Sequence, residues 1–449
     1  MRVPGWVVGF YLVLLLAGCS GGGANLALVL FAEPQEFAVG DTPRMLARGD
    51  YNGDSLDDVA SANSGDNTVT VLINTTRRVA STPAPSGTAT ALASPSTTPR
   101  GTPTPTPSVA LVTFSTFTFD TGTGPRSIDA TDVDGDSLVD IVTGNSDGTV
   151  SVLINTTTSG TSQPTFTSSF DFSAANASEV CFITTGDGLP DIVSANAVDN
   201  TISVLVNITS SVGVPNFSGP FTFNTGTAPF QPLIVDLNGD TDPDIANLDS
   251  GGNLNVLLSS GLTAANTPNF QNVRSYSLGA TASSMVARDM DDDGAPDVVA
   301  ATTDGNATIL RNTTPAVVAT PTPASTPRSS SSGTSTAPQL SFAEAAQFDL
   351  QATPSWIAAS DFAQSDSVDL ITADATDNNV STLVNRSTRG NYAFRDGGRF
   401  EAGTTPVFVM LMDVDGDGQE DAVVVNRDVD QVSVLINKTT TTSTSNSLF

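Results

Sequence analysis

The sequence predicts an all-β ring, a seven-bladed β-propeller whose blades are four-stranded antiparallel sheets. Three observations predict it. An acidic nine-residue phrase recurs seven times in 449 residues, ending at Asp58, Asp140, Asp191, Asp244, Asp297, Asp369 and Asp421, and four of the six intervals are 51 to 53 residues. Between the phrases run short segments alternating at strand period, with no amphipathic helix among them. A unit repeated near every fifty residues cannot bury both faces of its sheet alone, so it packs on copies of itself.

Taken in order, the N-terminus reads as a processing signal. Arg2 precedes an apolar run from Trp6 to Leu16, which continues into Ala17-Gly18-Cys19. The run is too short to span a bilayer. It resembles a bacterial lipoprotein signal, which implies removal of residues 1–18, lipidation of Cys19 and a tether over residues 19–25. The expected location is the cell envelope, at the outer membrane or cell surface, with the lipid as the only membrane contact. Cys181 is then the single unmodified cysteine, so no internal disulfide forms and the thiol reads as a buried, inert strand residue.

The ring is expected over residues 26–437. Leu26 to Gly40 reads as a fourth strand lacking its first three, and the chain finishes on a third strand from Gln431 to Asn437. The first segment should therefore complete the last blade and close the ring, which argues against an open stack. The second copy shows the order within a unit: RSIDAT, the acidic phrase, DIVTGN, a turn through Ser146-Asp147-Gly148, then Thr149 to Asn155. A proline stands seven residues before the phrase at Pro43, Pro125, Pro229, Pro354 and Pro406, and third strands end at Asn74, Asn155, Asn207, Ser259, Asn312, Asn385 and Asn437. Two Pro/Thr/Ser-rich inserts, 75–108 and 313–338, account for the two long intervals and read as extended stalk-like loops. Residues 438–449 read as a disordered tail.

The net charge of −30 is mostly aspartate, and 26 of the 41 aspartates lie in the seven phrases. Such a chain repels nucleic acid and anionic headgroups, which sets aside polynucleotide partners. There is no histidine, so Ser-His-Asp and Cys-His machinery and histidine-bound zinc are excluded. The single lysine, Lys438, lies in the expected tail, away from any Schiff-base role. A non-enzymatic binding module is therefore expected. The alternative is a carbohydrate-active enzyme, a polysaccharide lyase or hydrolase using outward-facing Asp, Arg and Tyr. Tyr51, Tyr276 and Tyr392 fall outside the outward loops, which weakens it. A passive envelope scaffold is a third reading.

Five phrases are intact and offer oxygen ligands at positions 1, 3, 5 and 9. They are Asp50, Asn52, Asp54 and Asp58; Asp132, Asp134, Asp136 and Asp140; Asp236, Asn238, Asp240 and Asp244; Asp289, Asp291, Asp293 and Asp297; and Asp413, Asp415, Asp417 and Asp421. A hard cation takes such a ligand set, so about five structural Ca2+ ions are expected. Without a cation, two carboxylates ~5 Å apart repel by ~3 kcal/mol at an effective dielectric near 20. Two phrases are worn and should be metal-free. Ile183 and Thr185 replace ligands in the third copy, Ala363 and Ser365 in the sixth. An EF-hand is excluded, because position 12 is Ser61, Thr143, Asn247, Ala300 or Val424 rather than Glu.

Strands of the form Val-Ser-Val-Leu-Ile-Asn after D-x-[DN]-G-D-x-x-x-D resemble the FG-GAP/VCBS repeats of bacterial surface proteins. The nine-residue loop is similar to that of the integrin α-subunit propeller. The resemblance covers about residues 26 to 437 apart from the inserts, although the Phe-Gly-Gly-Ala-Pro wording is absent. It implies a seven-bladed ring and calcium, and a role among adhesins, binding modules or domains appended to enzymes.

Alternating strand direction puts the acidic loops, the inserts and the chain ends on one face. A tether of seven residues spans at most about 25 Å, so that face should lie toward the membrane. The opposite face is the expected ligand surface. Its candidates are Arg44, Arg126, Phe230, Trp356 and Phe408, just after the repeated proline, with Asp66, Asp147, Asp199, Asp304 and Asp428 in the other loops. Arginine with aromatics suits a glycan or a carboxylate on a surface protein. The other reading of these residues is that they plug the funnel. A monomer is expected.

Overall fold

The computed structural model describes residues 29–76, 111–177, 179–183, 188–262, 267–315, 339–343, 345–350 and 352–439. Cys19 and its signal, the bulk of both inserts, and Thr185 and Asp187 of the third phrase lie outside the described residues.

Seven four-stranded antiparallel sheets follow one another along the chain. Blade 1 comprises Pro43–Gly49, Asp58–Asn63, Thr68–Asn74 and Phe114–Asp120; blade 2, Pro125–Thr131, Asp140–Asn145, Gly148–Leu153 and Phe170–Ala177. Blade 3 comprises Glu179–Ile183, Asp191–Asn196, Thr201–Asn207 and Phe217–Asn224; blade 4, Phe230–Val235, Asp244–Leu248, Asn253–Leu257 and Arg274–Ser277. Blade 5 comprises Ala282–Arg288, Asp297–Thr302, Asn306–Leu310 and Ala346–Asp349; blade 6, Trp356–Ser360, Asp369–Asp374, Asn379–Asn385 and Phe394–Glu401. Blade 7 takes Pro406–Met412, Asp421–Asn426 and Gln431–Leu435 from the end of the chain and its fourth strand, Gln35–Ala38, from the beginning.

The ring closes as the strand order predicts. Gln35 to Ala38 pair antiparallel with Val434 to Gln431, and Phe31 bridges Asn437. The closure runs further than the sequence suggests, because the Lys438 amide donates to the Leu30 carbonyl at 2.6 Å and Thr439 is buried. The expected tail thus begins too early; residues 440–449 lie outside the described residues. First strands touch their neighbours from blade 1 round to blade 7 and back to blade 1, so they line the axis.

Burial follows from this arrangement. Every residue of the second strands Asp58–Asn63, Asp140–Asn145, Asp297–Thr302 and Asp421–Asn426 is buried, because both faces of each sheet are covered by adjacent blades. The core therefore lies between blades, as where Val193, Ile202 and Val204 of blade 3 meet Ile245 and Leu257 of blade 4. Fourth strands alternate between half-buried and exposed at the rim. An extra hairpin, Ser259–Leu262 with Pro268–Phe270, decorates blade 4 and was not legible as strands.

A ring of aromatic clasps ties the rim. Each fourth strand, or the segment leading into it, carries two aromatics five or six residues apart, and the second meets the first of the next blade edge-on. The pairs are Phe37–Phe114, Phe119–Phe166, Phe172–Phe217, Phe223–Phe270, Tyr276–Phe342, Phe348–Phe394 and Phe400–Phe31, with centroids 4.8 to 5.2 Å apart. There is one pair per junction, each worth about 1 kcal/mol beyond area burial.

Candidate metal loops and channel mouth

Each of the six acidic phrases whose residues are all described forms the loop between the first and second strands. Its first aspartate folds it: the Asp132 carboxylate accepts the amides of Gly135, Asp136 and Ser137 at 2.7, 3.1 and 2.8 Å. Asp50 and Asp236 do the same in blades 1 and 4. A left-handed turn follows, carried by Gly135 at φ 83° and Ser137 at φ 73° in blade 2, which explains the glycine at position four.

The ninth position is a buried staple. One oxygen of Asp58, Asp140, Asp244, Asp297 and Asp421 accepts the amide of the second loop residue at 2.7 to 3.1 Å. The other accepts the amide at the end of the third strand at 2.7 to 2.8 Å. Burial pushes Asp58, Asp140, Asp244 and Asp421 up to about 7 and Asp297 up to about 6; nearby loop carboxylates add to the rise and the amide bonds oppose it.

The third-strand asparagine extends the staple to the preceding blade. Asn74, Asn155, Asn207, Asn312, Asn385 and Asn437 donate from Nδ2 to the carbonyls of Val414, Tyr51, Val133, Leu237, Met290 and Phe362 at 2.8 to 3.0 Å. Each acceptor is the second residue of the neighbour's acidic loop. Blade 4 has Ser259 here, which has no side-chain amide to donate.

Positions three and five make the loops differ. Carboxylate oxygens of Asp132, Asp134 and Asp136 lie within 4.8 Å of one another, as do those of Asp289, Asp291 and Asp297, and those of Asp413, Asp415 and Asp421. The third-position acids are buried under the next blade: the Gly213 amide donates to Asp134 at 2.6 Å and the Gly390 amide to Asp291 at 2.6 Å. In blades 1 and 4 position three is an amide, and Asn52 and Asn238 donate to Asp54 and Asp240 at 3.1 and 3.0 Å. In blade 5 a guanidinium enters: Arg311 Nε pairs with Asp291 at 2.8 Å and Nη2 with Asp293 at 2.9 Å. In blade 7 Lys438 approaches Asp415 at 3.6 Å. Among the described residues no cationic side chain pairs with the three acids of blade 2.

A hard divalent cation fits these residues. The donor set is all oxygen, and buried Oδ1 of Asp413 has no hydrogen-bond partner. The worn loop of blade 6 keeps the frame without the acids: Asp361 accepts the amides of Ser365 and Asp366 at 2.7 and 2.9 Å, and Asp369 those of Ala363 and Asn385 at 2.9 and 2.8 Å.

On the opposite face the expected ligand residues divide. Pairing steps from Pro43↔Asn63 to Met45↔Ala62 and from Pro125↔Asn145 to Ser127↔Gly144, so Arg44 and Arg126 are bulge residues turned out of the ladder. Both are exposed. Arg44 donates to Ser64 Oγ at 3.1 Å, and its pKa is lowered by burial first and then by Arg427 and Arg126. Arg427 of blade 7 and Arg126 of blade 2 are thus the like charges felt by Arg44 of blade 1, and Asp428, paired with Arg427 at 2.9 Å, partly offsets them.

The aromatics do not join them. Trp356 and Phe408 pack on each other with rings tilted at 45° and centroids 4.6 Å apart, and Phe408 is buried in the core shared by blades 7 and 1. Phe230 is half-buried against the core of blades 4 and 5. Trp356 and Phe408 stand at the second place after the proline, which points along the wall at the next blade, whereas Phe230 stands at the first and pairs in the ladder with Leu248. Ser127, Gln231 and Ser284 use the second place to accept the amides of Val180, Met285 and Ile357 at 3.0, 2.7 and 3.2 Å. Asp66, Asp147, Asp304 and Asp428 mostly close their own turns through Thr68, Thr149, Thr302 and Thr405. Deeper in the channel, Glu179 accepts the Gln231 amide, and Asp129, raised to about 6 by burial, accepts the amides of Ala130 and Phe182. Cys181 is half-buried on its strand rather than buried as expected; desolvation, then Asp129 and Glu179, push its thiol up, which suits an unreactive cysteine.

Residues 184–247 match the family of FG-GAP-like repeats. None of the curated proteins matches the chain. Among solved structures, BBS1N in complex with ARL6DN, in crystals soaked with mercury and with lead, superposes at TM-scores of 0.52 and 0.50. Identity is 9% and 8%, over 91% of this chain and 97% of that one. Sqt1 of Saccharomyces cerevisiae superposes at 0.49 with 11% identity, over 91% of this chain and 99% of Sqt1. At these identities the likeness is one of fold. The chain is a seven-bladed β-propeller that carries an FG-GAP-like repeat over residues 184–247.

Proposed function

We propose that the chain is a calcium-stabilised, lipid-anchored propeller of the cell envelope that binds a glycan or a surface protein without chemically altering it. The observation that carries the calcium reading is the blade 2 loop. Three carboxylates converge within 4.8 Å there, and the frame around them survives in blade 6 without such acids. Like charges held together beyond what the fold needs argue for a cation, and all-oxygen ligation argues for calcium. The ions would be structural, holding the loop under the next blade's connection. Affinity of roughly 0.1–1 mM suffices for an extracellular module.

The ligand reading rests on the mouth formed by Arg44, Arg126 and Arg427. In a chain of net charge −30, gathering guanidiniums at one opening favours an anionic group, such as a uronate or a peptide carboxylate. A binding screen against acidic and neutral glycans and envelope proteins, with and without chelator, tests this. Retention of acidic ligands by the wild type and their loss in the Arg44→Ala/Arg126→Ala double variant is the expected result. Release of shortened polysaccharide would replace the binding module with the carbohydrate-active enzyme. Mass spectrometry of the membrane-extracted protein should find a diacylglyceryl group on Cys19. A chain that starts elsewhere or is unlipidated would end the anchoring claim.

A further inference from the structure

We infer that the acidic loop of blade 5 is closed by the guanidinium of Arg311 in the place of a metal ion, so that blades 1, 2, 4 and 7 take calcium and blade 5 does not. This rests on the calcium reading above and narrows it from five ions to four.

The position of Arg311 is the first argument. It immediately precedes the stapling Asn312, where the other metal-type blades have Ile73, Ile154, Leu258 and Ile436. An aliphatic side chain there cannot neutralise the loop. Arginine there lies one residue from the staple, which delivers its head into the acids.

The geometry is the second. Nε and Nη2 bridge the third and fifth positions, Asp291 and Asp293, at 2.8 and 2.9 Å, and Asp291 is fully buried. A planar fork spanning two carboxylates is the arrangement guanidinium favours and ammonium does not. The same Asp291 oxygen also accepts the Gly390 amide. A calcium ion would have to draw its third and fifth ligands from groups already paired, and would bring a double charge against a half-buried guanidinium. Lys438 differs in kind: it approaches one oxygen, of Asp415, at 3.6 Å, where Arg311 makes two contacts under 3 Å to two acids. Blade 7 therefore remains a metal loop. In blade 5, Asp291 Oδ1 is the acceptor left unpaired, and it is where an ion would add once the arginine was gone.

Metal analysis of the full mature chain after dialysis against calcium tests the assignment. The wild type should hold four ions. Arg311→Ile, which installs the residue of blade 2, should hold five, and Arg311→Gln guards against a folding failure by keeping a polar side chain of similar length. With chelator present, Arg311→Ile should melt below wild type, because Asp291 and Asp293 lose their counter-ion; added calcium should restore it. Five ions in the wild type, or an unchanged count in both folded variants, overturns the inference while calcium stands. No ion in any of the proteins overturns the calcium reading itself.

Discussion

The acidic loops of blades 2 and 6 have one hydrogen-bond frame and two charge states. In both, the first aspartate gathers the amides of the following turn, and the ninth binds the amide of a third-strand asparagine, at 2.7 Å from Asn155 and 2.8 Å from Asn385. Both asparagines reach back to the preceding blade, to Tyr51 and Met290. Yet Asp134 and Asp136 of blade 2 correspond to Ala363 and Ser365 of blade 6. The frame is what shapes a blade. The acids at positions three and five are dispensable to it, since blade 6 lacks them; in blade 2 they accept the Gly213 and Leu138 amides but raise the repulsion, which a cation would relieve.

The largest test of that division removes the frame. Asp140→Ala leaves the buried amides of Val133 and Asn155 without partners, and Asp369→Ala does the same for Ala363 and Asn385. Each should cost about 3 kcal/mol, at 1–3 kcal/mol per abandoned group. Urea denaturation in chelator should give similar losses for the two. A loss confined to blade 2 would mean that the ninth aspartate matters only through an ion.

Next in size is the charge itself. Calcium at about ten to a hundred times its dissociation constant should stabilise each loaded loop by about 1–3 kcal/mol. Asp134→Ala should abolish one site; in chelator it trades the bond from the Gly213 amide for relief of repulsion with Asp132 and Asp136, so the loss should be smaller than in calcium. The converse graft, Ala363→Asp with Ser365→Asp, should create a site in blade 6. Metal counts that ignore both changes would dissolve the contrast.

What could be read in advance follows the same line. The phrase is local in sequence, so its spacing yielded the blade number, the loop position and the closure by the first strand. Contacts that cross from one repeat to the next were harder. The rim clasps were visible as aromatics about six residues apart, Phe217 and Phe223 or Phe394 and Phe400, but their partners lie in the neighbouring repeat. Arg311 was visible as a break in an Ile column, and only the folded loop shows what it touches. Phe408 misled because one residue of bulge, Val407, decides whether a side chain near the proline faces the mouth or the wall, and Trp356 because it packs on Phe408.

Proton linkage sharpens the comparison by a smaller effect. Asp140 and Asp369 are both raised to about 7, chiefly by burial. A carboxyl whose folded pKa exceeds its unfolded value near 3.9 contributes stability that is complete below about 4 and is lost as pH rises through about 7. In chelator, therefore, melting temperature should fall between pH 5.5 and 8. Calcium holds Asp140 ionised and should flatten or reverse that slope, while the Asp369 contribution persists in both conditions. Parallel curves with and without calcium would show that the ninth aspartates do not feel the ion.

The smallest effect is expected where the two loops should not matter at all. The rim pairs Phe172–Phe217 and Phe348–Phe394 sit at the junctions of blades 2 and 3 and of blades 5 and 6, with centroids 5.0 and 4.9 Å apart. Changing Phe172 or Phe348 to Leu keeps most of the apolar area and removes the edge-to-face contact, about 1 kcal/mol in either case. The rim belongs to the fourth strands and the loops to the first and second, so the loss should be the same with calcium or chelator. Double-mutant cycles between Phe172 and Asp134 measure this, with a coupling near zero expected for sites that share no partner. A coupling that appears only in calcium would mean that the ion tightens the whole junction, and the separation of frame from charge would have to be redrawn.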